Sequence, residues 1–209
     1  KWIYLSPFLA VLITMISGGI LFAALGENPF EAIRIIFWDP LFDPNFASYS
    51  RPQLLVKAGP LILIAIGLSF GFKAGVWNIG AEGQYILGAI FGASVALAFY
   101  PMESKFIFPL MIIAGALGGF LWALIPALLK AKLNTNEILV SLMLVYVAES
   151  ILASVSQGLL KNPDGYGFPG SRNLQNYASA ANVEIIANSG MHWGVLFAFI
   201  TVIFSYIVL

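Results

Sequence analysis

Apolar positions along the chain fall into six long blocks, at about residues 2–25, 54–72, 77–100, 106–129, 138–160 and 192–209. Several approach or exceed the roughly 20 residues a helix needs to cross hydrocarbon. Polar stretches separate them. The first, 26–53, carries four acidic residues and prolines at 29, 40, 44 and 52. Within it "PFEAIRIIFW" puts Phe30, Ile33, Phe37 and Trp38 roughly on one side, which predicts a short helix lying in the membrane interface. The link "PMESK" at 101–105 is short, and 130–137, "KAKLNTNE", is polar with mixed charge. The stretch 161–191 contains "NPDGYGFPG", whose Pro-Asp-Gly and Gly-Phe-Pro-Gly signals demand turns.

Composition sharpens this pattern into a fold class. Of 209 residues 60% are hydrophobic and only 10% charged, against about a quarter charged in a soluble domain. The chain therefore reads as an all-α polytopic membrane protein with about six transmembrane helices, forming a single membrane domain over 1–209. It opens on Lys1 and runs out in "FAFITVIFSYIVL" without closing interface residues, so it is expected to be a piece of a longer protein. The first block is too long for a cleaved signal and no small-residue cleavage site follows it. No cysteine is present, the net charge is zero, and no basic run points to nucleic acid.

Lysine and arginine placement bears on orientation. With the N-terminus inside, the cytoplasmic side holds Lys1, Lys73, Lys130 and Lys132. The outer side then holds Arg34, Arg51, Lys105, Lys161 and Arg172, with Lys57 near the mouth of the second block. Per residue of loop the inner side is the more basic. The count alone does not settle orientation, but it favours the N-terminus inside, with 130–137 a cytoplasmic loop and 26–53 and 161–191 outer loops.

Candidate chemistry is sparse. No nucleotide-binding Gly-rich loop ending in Lys-Ser/Thr, no His-Glu-x-x-His pair and no Gly-x-Ser-x-Gly elbow occurs. The one histidine, His192, opens the last block beside Trp193, the place of an interfacial belt residue. An enzyme is not supported. Uphill transport would need an ion gradient or another chain for its energy. Gly-x-x-x-Gly spacings at 71/75, 88/92 and 115/119 predict close helix–helix packing.

Three polar features remain. "VWNIGAEGQYILG", 76–88, places Asn78, Glu82 and Gln84 among three glycines between two apolar blocks. It predicts a glycine-punctuated turn or broken helix over 74–83, which fits either the bracing of a tight turn or the lining of a translocation pathway. In the fifth block Tyr146, Ser150, Ala153 and Gln157 share a helical face, flanked by Glu149 and Ser154. Glu149 falls near mid-membrane, where a lipid-facing charge costs about 2.5 kcal/mol or more, so it faces the bundle, is protonated, or lines water. Third, "LLKAKLNTNEILVSLML" predicts a helix end, a turn, and a new helix capped by Asn134 or Thr135 with Glu137 in its first turn. That turn fits a plain link or a docking surface for a cytoplasmic partner.

Two of these stretches carry a resemblance. Asn78-Ile79-Gly80-Ala81-Glu82-Gly83-Gln84, and Asn136-Glu137-Ile138 followed by Met143, Leu144 and Tyr146, resemble the membrane permease subunits of bacterial ABC importers of the branched-chain amino acid, ribose and nucleoside class. Within that class the likeness is nearest to nucleoside or simple-sugar permeases. Val145 stands where the family often has Asn. Members have about ten helices, so the chain resembles roughly the first two-thirds of one. The resemblance implies a multi-pass subunit of the bacterial cytoplasmic (inner) membrane that binds no cofactor and does no covalent chemistry. ATP would be hydrolysed on a separate ATP-binding cassette subunit, with Lys130, Lys132, Asn134, Thr135, Asn136 and Glu137 as candidate coupling residues. It further implies a second permease subunit and an extracytoplasmic solute-binding protein. Pathway candidates are Asn78, Glu82, Gln84, Tyr146, Glu149, Ser150 and Gln157. An ion-coupled secondary transporter using Glu82 and Glu149, and a non-transporting membrane scaffold, are the competing readings.

Overall fold

The computed structural model describes residues 2–187 and 189–208. In chain order these form α1 (Trp2–Ala24), α2 (Pro29–Ile33), a wide π-type turn over Arg34–Trp38, α3 (Asp39–Phe42), α4 (Ala47–Lys73), α5 (Ala81–Ala98), α6 (Ile107–Leu133), α7 (Glu137–Gln157), a 3-10 turn at Leu174–Asn176, and α8 (Trp193–Val208). Among the described residues the only β pairing is an isolated bridge between Glu184 and His192. Five helices, α1, α4, α5, α6 and α7, have the length and apolar composition of membrane spans. The sixth block forms α8, whose 16 described residues rise about 24 Å, short of the hydrocarbon thickness. The chain is an all-α polytopic membrane protein.

Two compact units divide it: Lys1–Gly59 with Glu184–Val195, and Pro60–Val183 with Leu196–Leu209. In the first, Asn28 caps α2, its Oδ1 accepting from the Phe30 N–H at 3.1 Å, and Pro29 takes the first helical position, where no N–H is needed. The single amphipathic helix expected over 29–38 does not form. Pro40 cannot donate to the Ile36 carbonyl and its ring crowds that turn, so the chain widens and the Asp39 N–H reaches back five residues to the Arg34 carbonyl. The expected face splits as a result. Ile33 turns onto α1, while Phe30, Phe37 and Trp38 stay exposed. Further along, Gln53 Nε2 donates to the Ser189 carbonyl at 3.0 Å, tying the start of α4 to the turn before α8.

In the second unit α5 and α6 run antiparallel with their backbones in near contact. A Cβ at Gly88 would lie 3.0 Å from the Gly115 carbonyl oxygen, one at Gly119 3.2 Å from that of Gln84, and one at Gly92 3.3 Å from that of Met111. Each step of four along α5 thus matches a step of four back along α6. The expected glycine packing forms at 88/92 and 115/119, because only residues without side chains permit this approach. The spacing at 71/75 serves otherwise: Gly75, at φ +75°, closes α4, with the Val76 N–H bonded back to the Gly71 carbonyl at 2.9 Å. Helix α7 lies against α5 through Ala148, which packs with Leu87 and Ile90, backed by Ile86, Ile151 and Val155.

Past α7 the chain folds over the α5–α6 link. The Tyr177 hydroxyl donates to the carbonyls of Phe99 and Met102, and its ring meets Tyr100 edge-on at 5.2 Å. Arg172 sits 4.6 Å above the Tyr100 ring and pairs with Asp164 at 2.9 Å. Ala96, Ile107, Tyr177 and Ala180 form a buried cluster beneath this cover.

Candidate functional site

The antiparallel order of α5, α6 and α7 brings the turn 74–80 and the α6–α7 link to one end of the second unit. Backbone between Gly75 and Gly80 is non-helical, and α5 begins only at Ala81, so Asn78 lies before the helix and not on a face shared with Glu82. Asn78 organises the turn instead. Its Oδ1 accepts from the Gly80 N–H at 2.9 Å, and its Nδ2 donates to Gln84 Oε1 at 3.2 Å. The Ile79 N–H donates to Ser141 Oγ at 3.2 Å, linking the turn to the first turns of α7.

Two glycines of the same motif allow that approach. A Cβ at Gly80 would come 2.7 Å from the Ser141 carbonyl oxygen and 2.9 Å from its Cβ, so no larger residue fits without moving α7. A Cβ at Gly83 would come within 3.1–3.3 Å of Trp122 Nε1, Val145 Cα and the Leu144 carbonyl oxygen. Val145 is therefore buried against α5. It does not belong to the exposed stripe of α7. Trp122 Nε1 beside it is buried without a hydrogen-bond partner among the described residues.

Across the same end, Lys130 and Glu137 form an ion pair at 3.0 Å that closes the α6–α7 link. The predicted cap is displaced. Asn134 terminates α6 in the left-handed region at φ 50°, and Asn136 caps α7, its Oδ1 accepting from the Ile138 and Leu139 N–H groups at 3.0 and 3.3 Å. The physical reason is spacing: α6 runs on to Leu133, leaving Asn134 to reverse the chain and Asn136 as the residue directly before α7. Thr135 Oγ1 is buried with no partner among the described residues, while Lys132 is exposed. A cavity of about 320 Å³ opens between these parts, walled mostly by Val76, Trp77, Ala123, Pro126 and Ala127, with Asn78, Gln84 and the Lys130–Glu137 pair at its polar edge.

The remaining candidates lie elsewhere. Glu82 is exposed on the first turn of α5. Tyr146, Glu149, Ser150 and Gln157 are all exposed on α7, whose buried residues Ser141, Val145 and Ala148 lie on the packed side. Ser150 Oγ donates to the Tyr146 carbonyl at 2.9 Å. The structure thus separates the pathway candidates into two groups: Asn78 and Gln84 with the coupling candidates at one helix end, and the α7 stripe along a span. Sequence reasoning missed Ser141 and Trp122. Ser141 is the only polar residue among 138–145, and that isolation was the available signal.

Comparison with known proteins places this chain in a family. Residues 51–209 match the family described as branched-chain amino acid transport system / permease component. The chain is 33% identical over 214 residues to the glucose ABC transporter permease protein TsgB13 of Haloferax volcanii, covering 99% of this chain and 55% of that protein. It is 32% identical over 143 residues to the nucleoside ABC transporter permease protein NupB of Lactococcus lactis subsp. cremoris, covering 68% of this chain and 38% of that one. Against the guanosine ABC transporter permease protein NupP of Bacillus subtilis it is 28% identical over 144 residues, 69% of this chain and 40% of that protein. The chain thus spans about half the length of these relatives, or less. No solved structure matches it significantly. With five helices among the described residues long and apolar enough to span, it is a multi-pass protein of the cytoplasmic membrane, and it belongs to the branched-chain amino acid transport system / permease component family.

Proposed function

We propose that this chain is part of a transmembrane permease subunit of an ATP-driven importer, passing a nucleoside or simple sugar across the membrane. The names of its relatives, permeases for glucose, nucleosides and guanosine, support that solute class. One structural observation carries the transport reading: α7 turns a stripe of Tyr146, Glu149, Ser150 and Gln157 away from the helices it packs on. A carboxylate in mid-span costs about 2.5–3.5 kcal/mol if it meets lipid, so that stripe faces water or protein in the assembled transporter. The pathway then runs along α7 and is completed by a second permease subunit.

The chain itself performs no covalent chemistry and binds no cofactor. ATP is hydrolysed on a partner cassette subunit docked at the end carrying 74–80 and 130–137, which is the cytoplasmic end. An extracytoplasmic binding protein delivers solute at the opposite end, where the α5–α6 link presents Glu103 and Lys105 on either side of Ser104. Asn78 and Gln84 act at the cytoplasmic end as bracing of the α5–α7 junction.

The deciding experiment measures uptake of labelled guanosine, adenosine and glucose by the full-length protein, co-expressed with the genes beside its own and reconstituted in vesicles. Uptake that needs internal ATP and survives proton and sodium ionophores supports the importer. Uptake that collapses with an ion gradient and ignores ATP assigns Glu82 and Glu149 to ion coupling instead. No uptake by the intact complex, with association unchanged in Glu149→Gln, favours a scaffold.

A further inference from the structure

We propose that the connection between the first two spans, Asn28 to Tyr49, is a re-entrant wedge. It sits at the headgroup–acyl boundary of the bilayer, and phospholipid covers its exposed aromatic side chains. The first observation is depth. Ile33 Cδ1 lies against Gly19, 3.3 Å from where a Cβ would stand, and Gly19 is five residues, about 7.5 Å of helix, inside the end of α1 at Ala24. Helix α2 therefore folds back alongside a membrane span and does not stand above it. The far end is fixed as well: Ser50 Oγ donates to the Pro40 carbonyl and Arg51 Nε to the Leu41 carbonyl at 2.6 Å, holding α3 against the start of α4. Both flanking helices have the length and apolar composition of membrane spans, and a segment between two consecutive spans starts and ends at one membrane face.

The second observation is polar accounting. A segment withdrawn from water must satisfy its backbone groups internally. Here the Asn28 side chain caps the start of α2, and Ser50 and Arg51 take carbonyls of α3 that have no helical partner. Arg34 Nε pairs with Asp39 Oδ1 at 3.0 Å, neutralising two charges within the segment itself. The third is the outer surface. Phe30 is 84% exposed and Ile36, Phe37, Trp38, Phe42 and Phe46 are all exposed, a run of large apolar and aromatic groups of the kind that settles at a membrane–water boundary. Left in water it would be an apolar patch of unusual size.

These 209 residues contain no cysteine, so once any cysteine elsewhere in the full-length protein and its partners is replaced, single-cysteine labelling tests the depth directly. Phe37→Cys and Phe42→Cys would each carry a nitroxide in the full-length protein with its native partners, reconstituted in phosphatidylcholine/phosphatidylglycerol vesicles. Ile13→Cys, within α1, would be the reference. The expected result is oxygen collision exceeding that of a water-soluble nickel chelate at both sites, placing the labels about 5–10 Å below the phosphates. Adding Gly19→Trp, which displaces Ile33, should shift both labels toward water. Labels that collide with the nickel chelate as freely as in solution would overturn the proposal, since the wedge would stand in water. Labels shielded from both reagents would overturn it too, because protein and not lipid would be the cover.

Discussion

Ile79 and Ser141, 62 positions apart, are joined by a 3.2 Å hydrogen bond from a backbone N–H to a side-chain hydroxyl, at the point where α5 and α7 come together. The Ser141 hydroxyl in turn donates to the Ile138 carbonyl at 3.1 Å, so it serves as both acceptor and donor. This relation makes the Asn-Ile-Gly-x-Glu-Gly-Gln stretch a joint. Ser141→Ala should strand the Ile79 N–H at a cost of about 1–3 kcal/mol. Gly80→Ala should be more damaging, since its Cβ would meet α7 backbone at 2.7 Å. Thermal unfolding of detergent-solubilised protein, followed by size-exclusion fluorescence, checks both. A Gly80→Ala protein as stable as the parent would mean that the junction is looser than described.

The unpartnered indole of Trp122 gives a prediction of opposite sign. Val145→Asn would place an acceptor among the groups that crowd Gly83, within reach of Trp122 Nε1. Satisfying that buried N–H should recover part of its desolvation penalty, on the order of 1 kcal/mol, and raise the unfolding temperature. Trp122→Phe also removes the orphan group, but it leaves a gap beside Leu87, Ile90 and Ala148 and should therefore be less favourable than Val145→Asn. A loss of stability in Val145→Asn would show that an acceptor at 145 does not satisfy the indole.

Charge at the α6–α7 link separates a local role from a docking role. The Lys130–Glu137 pair is partly exposed, and such pairs contribute about 0–1 kcal/mol, so its loss should barely change stability. Lys132→Glu touches no contact described within this chain. If the link carries the proposed coupling role, Lys132→Glu should weaken co-purification of the proposed ATPase subunit and lower ATP-driven uptake without shifting the unfolding temperature. Unchanged association would remove the link from the coupling surface.

Glycine substitutions on the seam should depend sharply on position. Gly88→Ala pushes a methyl to 3.0 Å from the Gly115 carbonyl oxygen, whereas Gly67→Ala in α4 meets nothing within 4 Å. The first should destabilise by about 1–3 kcal/mol through overpacking. The second should be neutral or mildly stabilising, from the better helix propensity of Ala. Equal effects would mean that the α5–α6 approach is not what limits size at residue 88.

Much of the fold was legible because a hydrocarbon solvent leaves few options: long apolar blocks become helices, and five of the six have spanning length. The glycine spacings at 88/92 and 115/119 told which helices touch, since no other residue allows backbone contact. Junction detail was harder to read. Whether Asn134, Thr135 or Asn136 caps α7 depends on where α6 stops, and no local signal outweighs the run of good helix formers that carries it to Leu133. The widened turn at Arg34–Trp38 arises from Pro40, several residues downstream, and the apolar pattern alone masked it. For the site, residue types at 78–84 announced something unusual, but not that Asn78 would serve the turn while Glu82 stayed outside it. That choice is made by Ser141, a partner 62 residues away.

The register of α5 against α6 has a mechanical consequence. Carbonyls lodged against glycines at successive turns act like teeth in a rack, and neither helix can slide or roll without climbing over the next tooth. The two therefore travel as one strut. If the subunit opens to either side in turn, as the proposed transport role requires, that motion must be taken up at the ends of that strut, where the Asn78 turn and the Tyr177 clasp would be the pivots.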